Sequence, residues 1–157
     1  MALGDMFLKI ETARQGVIKG ESLDGNHTSE IDVVGWSWGM RGQTGMAGSG
    51  EGSKATLNEL DIVKLVDSAS TGLMASMRNN ELIKKATLTV RKAGSDPLEY
   101  FSITIQDGRI TALDLQTDGV DVTERVSLAF KRISVEYTPQ GKDGMSRGGM
   151  LFETEIT

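Results

Sequence analysis

The chain contains no cysteine, one histidine and two prolines among its 157 residues, and only 5% of them are aromatic. Without cysteine there is no disulfide scaffold, no thiolate nucleophile and no cysteine-ligated metal site. His27 alone cannot supply the imidazole pair of a zinc site, and a histidine-based triad has no spare partner. The carboxylates are numerous but dispersed, so spacing singles out no pair for glycosidase-type acid-base work. These absences argue against an enzyme, and no cofactor or metal is expected.

Long apolar runs are missing as well. No stretch approaches the roughly 20 residues a membrane-spanning helix requires, so membrane insertion is not expected. The first ten residues carry Asp5 and Lys9 where a signal peptide would have its apolar centre, which predicts no Sec leader. The formal net charge is −5 and the basic residues are scattered, so nothing resembles the cationic stripe that neutralises successive phosphates, and nucleic acid is not an expected partner. With 38% hydrophobic and 25% charged residues, the balance is that of one globular domain spanning 1–157. At this length a chain can bury roughly 68–70% of its unfolded surface.

What is present is alternation. Most of the chain repeats apolar and polar residues with period two, broken by glycine-containing turns, the pattern of antiparallel sheet in a sandwich or barrel. Strands are predicted over 6–10, 17–19, 84–92, 98–106 and 110–116, with Asp107-Gly108 as a hairpin turn between the last two. Residues 125–138 are long for a strand, and the apolar phase slips at Lys131-Arg132, which predicts a bulge or sharp twist there. Residues 150–157 are a candidate edge strand. The segment 55–66 fits a helix or a strand equally well. Residues 71–79 predict one short helix, with Ser70 as N-cap, Leu73, Met74 and Met77 on one face and Asn79-Asn80 as a left-handed stop.

The strand at 30–40 carries the strongest pattern. From Val34 onward Val34, Trp36, Trp38 and Met40 point one way, while Gly35, Ser37 and Gly39 leave the other face nearly bare. Two same-face tryptophans are core or a stacking platform. A face without bulk either receives another backbone closely or lines a smooth polar surface. Ile31 and Val33 fall on the bare parity, so the strand starts buried on both faces or a bulge reverses its phase. Residues 41–54 follow, with Gly42, Gly45, Gly48, Gly50 and Gly52 and one bulky apolar residue, Met46. They do not form the G-x-x-x-x-G-K-[ST] phosphate loop, and they read as an extended loop available to a partner.

Taken in order, these segments resemble the haemolysin-coregulated protein (Hcp) family, the inner-tube subunits of type VI secretion systems. The resemblance rests on Asp5-Met6-Phe7-Leu8-Lys9-Ile10, Lys19-Gly20-Glu21-Ser22, Asp24 with His27, residues 30–34, Trp36-Ser37-Trp38-Gly39-Met40 and Asp67-Ser68-Ala69-Ser70. It continues through Leu88-Thr89-Val90-Arg91-Lys92-Ala93-Gly94, Leu98-Glu99-Tyr100, Val126-Ser127-Leu128-Ala129-Phe130 and Glu136-Tyr137-Thr138-Pro139-Gln140 with Lys142-Asp143-Gly144. The chain departs from the family pattern at 12–16, at 117–123 and in the tail from Met145.

The resemblance implies a mainly β fold: a small closed barrel of two antiparallel sheets with one short flanking helix, assembling into a hexameric ring. It further implies rings that stack into a tube within a contractile sheath, capped by spike proteins, with effector proteins carried in the lumen. Assembly in the bacterial cytoplasm would be followed by type VI secretion without a signal peptide. Ser37, with Gly35 and Gly39, is then expected to face cargo, and Arg41, Gln43, Met46, Glu51 and Lys54 to contact a neighbouring subunit or ring. A phage-like tail-tube protein and a monomeric ligand-binding barrel are the competing readings.

Overall fold

The computed structural model describes residues 5–42, 55–92, 98–139 and 149–156. In chain order the elements are β1 (Met6–Thr12), β2 (Gly16–Val17), β3 (Ile31–Asp32), β4 (Gly35–Ser37), β5 (Met40–Arg41), β6 (Thr56–Leu57), β7 (Leu60–Leu65), α1 (Ser70–Arg78), β8 (Ile83–Arg91), β9 (Glu99–Asp118), β10 (Asp121–Ala129), β11 (Arg132–Tyr137) and β12 (Met150–Glu155). The expected mainly β architecture with one short helix is present.

Two antiparallel sheets share strand β9. Its first half pairs with β8 and β11, its second half with β10, which in turn pairs with β7 and then β4. Twenty residues of straight strand would span roughly 66 Å at about 3.3 Å per residue, so β9 has to bend. The bend lies at Asp107, whose φ is 55°, and at Gly108, where an added Cβ would lie 2.4 Å from the Ala129 carbonyl oxygen. The predicted Asp107-Gly108 hairpin is therefore corrected: the same dipeptide, left-handed at Asp107, turns one strand from sheet to sheet instead of reversing it. The phase slip before Arg132 is real. The chain leaves β10 at Ala129, re-enters as β11 at Arg132 and changes sheets in between.

The hydrogen-bonded path β2-β1-β8-β9-β10-β7-β4 does not return on itself as one uninterrupted sheet. The chain between β3 and β4 links its two ends. Ile31 and Asp32 pair with β1, and the Val33 N–H donates to the Met6 carbonyl at 3.0 Å. One residue later the Val34 N–H donates to the Val63 carbonyl on β7 at 2.8 Å. This switch of partners also explains the reversed phase: Ile31 and Val33 are buried, whereas Val34 and Met40 are exposed.

The interior is filled by Leu8, Ile10, Ile31, Ile62, Leu88, Ile103, Ile105 and Val126, each removed from water and worth about 1.5–3 kcal/mol relative to exposure. Within segment 55–66 the ambiguity resolves to strand, β6 pairing with β5 and β7 with β10. Helix α1 begins one residue earlier than expected and Ser70 is not its cap. Ala69 occupies that position, and the Ser70 hydroxyl is turned inward to a buried ion pair. Leu73 is buried as predicted, Met77 is exposed, and Asn80 takes the left-handed stop with φ 50°.

Candidate functional site

Strand β4 lies beside β7, with Gly35 opposite Val63, Trp36 opposite Ile62 and Ser37 opposite Asp61. Residues directly opposite share a face, so the bare surface continues across the sheet from Ser37 to Asp61, Ser127 and Ala112. Ser37 is exposed. The Ser127 hydroxyl donates to Asp61 Oδ1 at 2.6 Å, and the Thr111 hydroxyl donates to Glu59 at 2.7 Å. An added Cβ at Gly35 would meet nothing within 4 Å, and one at Gly39 only the Asn58 amide at 3.5 Å. No backbone packs on this face among the described residues, so its lack of bulk leaves it open. Sequence reading found Gly35, Ser37 and Gly39; it missed Asp61, Ser127 and Ala112, which only the strand register brings beside them.

The opposite face holds the strand down. Trp36 stacks on Phe101 with centroids 5.5 Å apart, and Trp38 donates its indole N–H to the Asn58 carbonyl at 2.9 Å. Both tryptophans pack against the core, whereas Val34 and Met40, expected on the same face, do not join it.

Behind the sheet lies a charged group that periodicity alone did not flag. Lys64 Nζ sits 2.5 Å from Glu124 Oε1, 2.9 Å from Asp67 Oδ1 and 3.1 Å from the Ser70 hydroxyl, with Lys64 and Glu124 both fully buried. Ser70 donates to the same Glu124 oxygen at 2.7 Å. The group ties the first turn of α1 to β7 and β10, and its burial keeps it from reacting with anything outside.

His27 is a third polar centre. Its Nδ1 lies 3.0 Å from Glu30 and its Nε2 2.5 Å from Glu99, while the ring stacks on Phe7 at 4.3 Å. Arg91 covers the Phe7 ring at 5.0 Å and pairs with Asp24 at 2.8 Å. Both ring nitrogens therefore face a carboxylate oxygen. The arrangement fastens the loop between β2 and β3 onto β1 and β9, and it offers no nucleophile for the histidine to activate. Asp24 is held below the usual carboxylate range, first by the Asn26 backbone N–H and then by Arg91.

Of the residues expected in the extended loop, Arg41 lies in β5, exposed, and pairs with Thr56 in the two-stranded ribbon at the base of the loop. Gln43, Met46, Glu51 and Lys54 lie outside the described residues. The tail forms β12 against β11, the expected edge strand.

Comparison with known proteins follows the same outline. The family described as type VI secretion system effector, Hcp, matches residues 7–137. The chain is 37% identical over 150 residues to the protein hcp1 of Pseudomonas aeruginosa, with 92% of this chain and 90% of that protein covered. Its fold superposes on a type VI secretion system effector from Yersinia pestis with TM-score 0.78 and 28% identity, covering 97% of this chain and all of the other. It superposes on Hcp1 from Salmonella typhimurium with TM-score 0.76 and 29% identity, covering 98% and 96%.

Proposed function

The chain belongs to the Hcp family of type VI secretion systems, and from that premise we propose that it is a structural tube subunit. Hexameric rings of it stack into the inner tube, hold effector proteins in the lumen and leave the cell when the sheath contracts. Assembly takes place in the bacterial cytoplasm with sheath and spike proteins, and no described helix is long and apolar enough to cross a membrane. The role is mechanical, not catalytic.

The observation that carries this reading is the family match over 7–137, which spans every element from β1 to β11. The open surface around Ser37 supports its cargo-facing part. Small and hydrogen-bonded side chains at Ser37, Asp61, Ser127 and Ala112 make a smooth polar wall, suited to a guest that must be held and later released. A hollow ligand-binding barrel fits less well, because Ile62, Leu88, Ile103 and Ile105 fill the interior. Residues 41–54, including Arg41, Gln43, Met46, Glu51 and Lys54, reach the adjacent ring.

Negative-stain microscopy with light scattering on the purified protein tests the proposal. Hexameric rings with an open centre are expected, and a compact monomer would overturn it. In the same preparation Ser37→Arg should keep rings intact and lose co-purified effector; loss of the rings would make Ser37 a structural residue instead.

A further inference from the structure

The face that carries Ser37 ends in a basic cleft. Along β10, Ser127 and Ala129 are two residues apart and share that face, and Ala129 lies opposite Arg109 on β9. A register shift separates the two rows, yet Leu128 and its partner Ile110 are buried in the core, which keeps Ala129 and Arg109 on the open side. Arg109 therefore stands one row beyond Ser37, Asp61, Ser127 and Ala112 on the same surface. The cleft has a volume of about 640 Å³ and lies where β9 bends and β10 hands over to β11, with Arg109 and Lys131 in its lining.

Arg109 is half-buried, and its Nη1 is closed off from water with no hydrogen-bond partner among the described residues. Neither Arg109 nor Lys131 forms an ion pair among those residues. A guanidinium drawn out of water without a partner loses hydration that nothing returns, and an anion seated in the cleft supplies the missing counter-charge. The lining says which anion. Ile110 and Phe130, both buried, give the cleft an apolar floor, and its volume is that of a site for an organic group rather than for one ion. Asp107 also lines it and leaves a single positive charge in excess, which matches one carboxylate better than a phosphate dianion. The Thr111 hydroxyl in the same lining already donates to Glu59, so the two cations are the charged groups left to bind. Arginine takes a carboxylate through two parallel N–H···O bonds.

We infer that the Arg109–Lys131 cleft anchors a carboxylate of the guest polypeptide, an aspartate or glutamate side chain on an acidic segment of the cargo. The inference rests on the cargo-facing reading of the Ser37 surface and gives that surface a preference among guests. In a chain of net charge −5, an acidic guest is drawn to the places where cations stand unpaired.

The test is fluorescence anisotropy at low salt with a labelled peptide of alternating glutamate and glycine, against the same peptide with glutamine in place of glutamate. All the lining residues belong to one subunit, so binding is read whether or not rings form. The wild type is expected to bind the glutamate peptide and not the glutamine one. Arg109→Gln with Lys131→Gln should weaken that binding more than about tenfold, and Arg109→Lys, which keeps the charge, should weaken it less. The control, Lys9→Gln with Lys19→Gln, removes the same charge at exposed residues elsewhere and should bind as the wild type does. Circular dichroism checks that each variant keeps its strands. Equal binding by the cleft variant and the control overturns the inference, and so does equal binding of the two peptides. Displacement of the peptide by inorganic phosphate, at an ionic strength where sodium chloride leaves it bound, would make the cleft a phosphate site and overturn the carboxylate anchor. A wild type that forms rings with co-purified effector but ignores the peptide overturns the anchor and leaves the tube proposal standing. A wild-type monomer that binds the peptide through Arg109 and Lys131 supports the anchor and overturns the tube.

Discussion

Leu60, Ile62 and Lys64 share one face of β7, and all three are buried. A lysine on a core parity has to find its own partners, and Lys64 finds Glu124, Asp67 and Ser70. Taking two charges out of water costs several kcal/mol per ion, so such a pair contributes little net stability, yet breaking it leaves one buried charge uncompensated. Lys64→Met is therefore expected to lose about 3–5 kcal/mol in urea unfolding, and Glu124→Met a similar amount. The double substitution should lose less than either alone. If the two single losses add, the ion pair is not a coupled unit. The residue was half legible: its parity with Leu60 and Ile62 can be read from the sequence, but its partners come from β10 and the start of α1, and nothing local announces them.

At the scale of elements, the turn between β1 and β2 shows how a helix exit and a hairpin fasten each other. Glu81, buried just after α1, accepts the backbone N–H groups of Arg14 and Gln15 at 2.6 and 3.0 Å and the Gln15 side-chain amide at 3.0 Å. Burial pushes its carboxyl up, but hydrogen bonds from Gln15, Thr12 and the Arg14 and Gln15 backbone outweigh it and hold the group at about 2 against an ordinary 4.5. A carboxyl depressed in the folded state contributes its full stability above the unfolded value, near 4.5, and loses it as pH falls towards about 2. Glu81→Gln should cost about 1–3 kcal/mol at pH 7, since it weakens the bonds to two backbone donors, and the gap from wild type should narrow between pH 4.5 and 2. Urea unfolding at neutral pH and near pH 3 measures both; a gap that stays constant would mean that the charge of Glu81 is not what holds the turn. Element boundaries were legible where a strand's own alternation decided them, as at 84–92 and at the break before Arg132. They were not legible at Asp107-Gly108, because a left-handed residue followed by glycine serves a hairpin and a sheet-to-sheet bend alike. The choice falls to distant strands β8, β10 and β11, which the local sequence does not contain.

For the whole molecule, the mainly β class and the tube family were both readable, the first from alternation and the second from ordered segments along the chain. The joining of the two sheets was not, since it depends on a switch of partners between Val33 and Val34 that periodicity records only as a reversed phase. Residues 41–54 begin in the β5–β6 ribbon and are proposed to act between rings. Deleting 47–52 should then leave single rings with unchanged mass and thermal stability and shorten the stacks seen by microscopy at high protein concentration. Long-range stacking multiplies a small contact energy along the tube, so even about 1.4 kcal/mol lost per junction lowers each association constant tenfold. Stacks of unchanged length after the deletion would remove the loop from ring-to-ring contact, and loss of the rings themselves would move it into the contact within the ring.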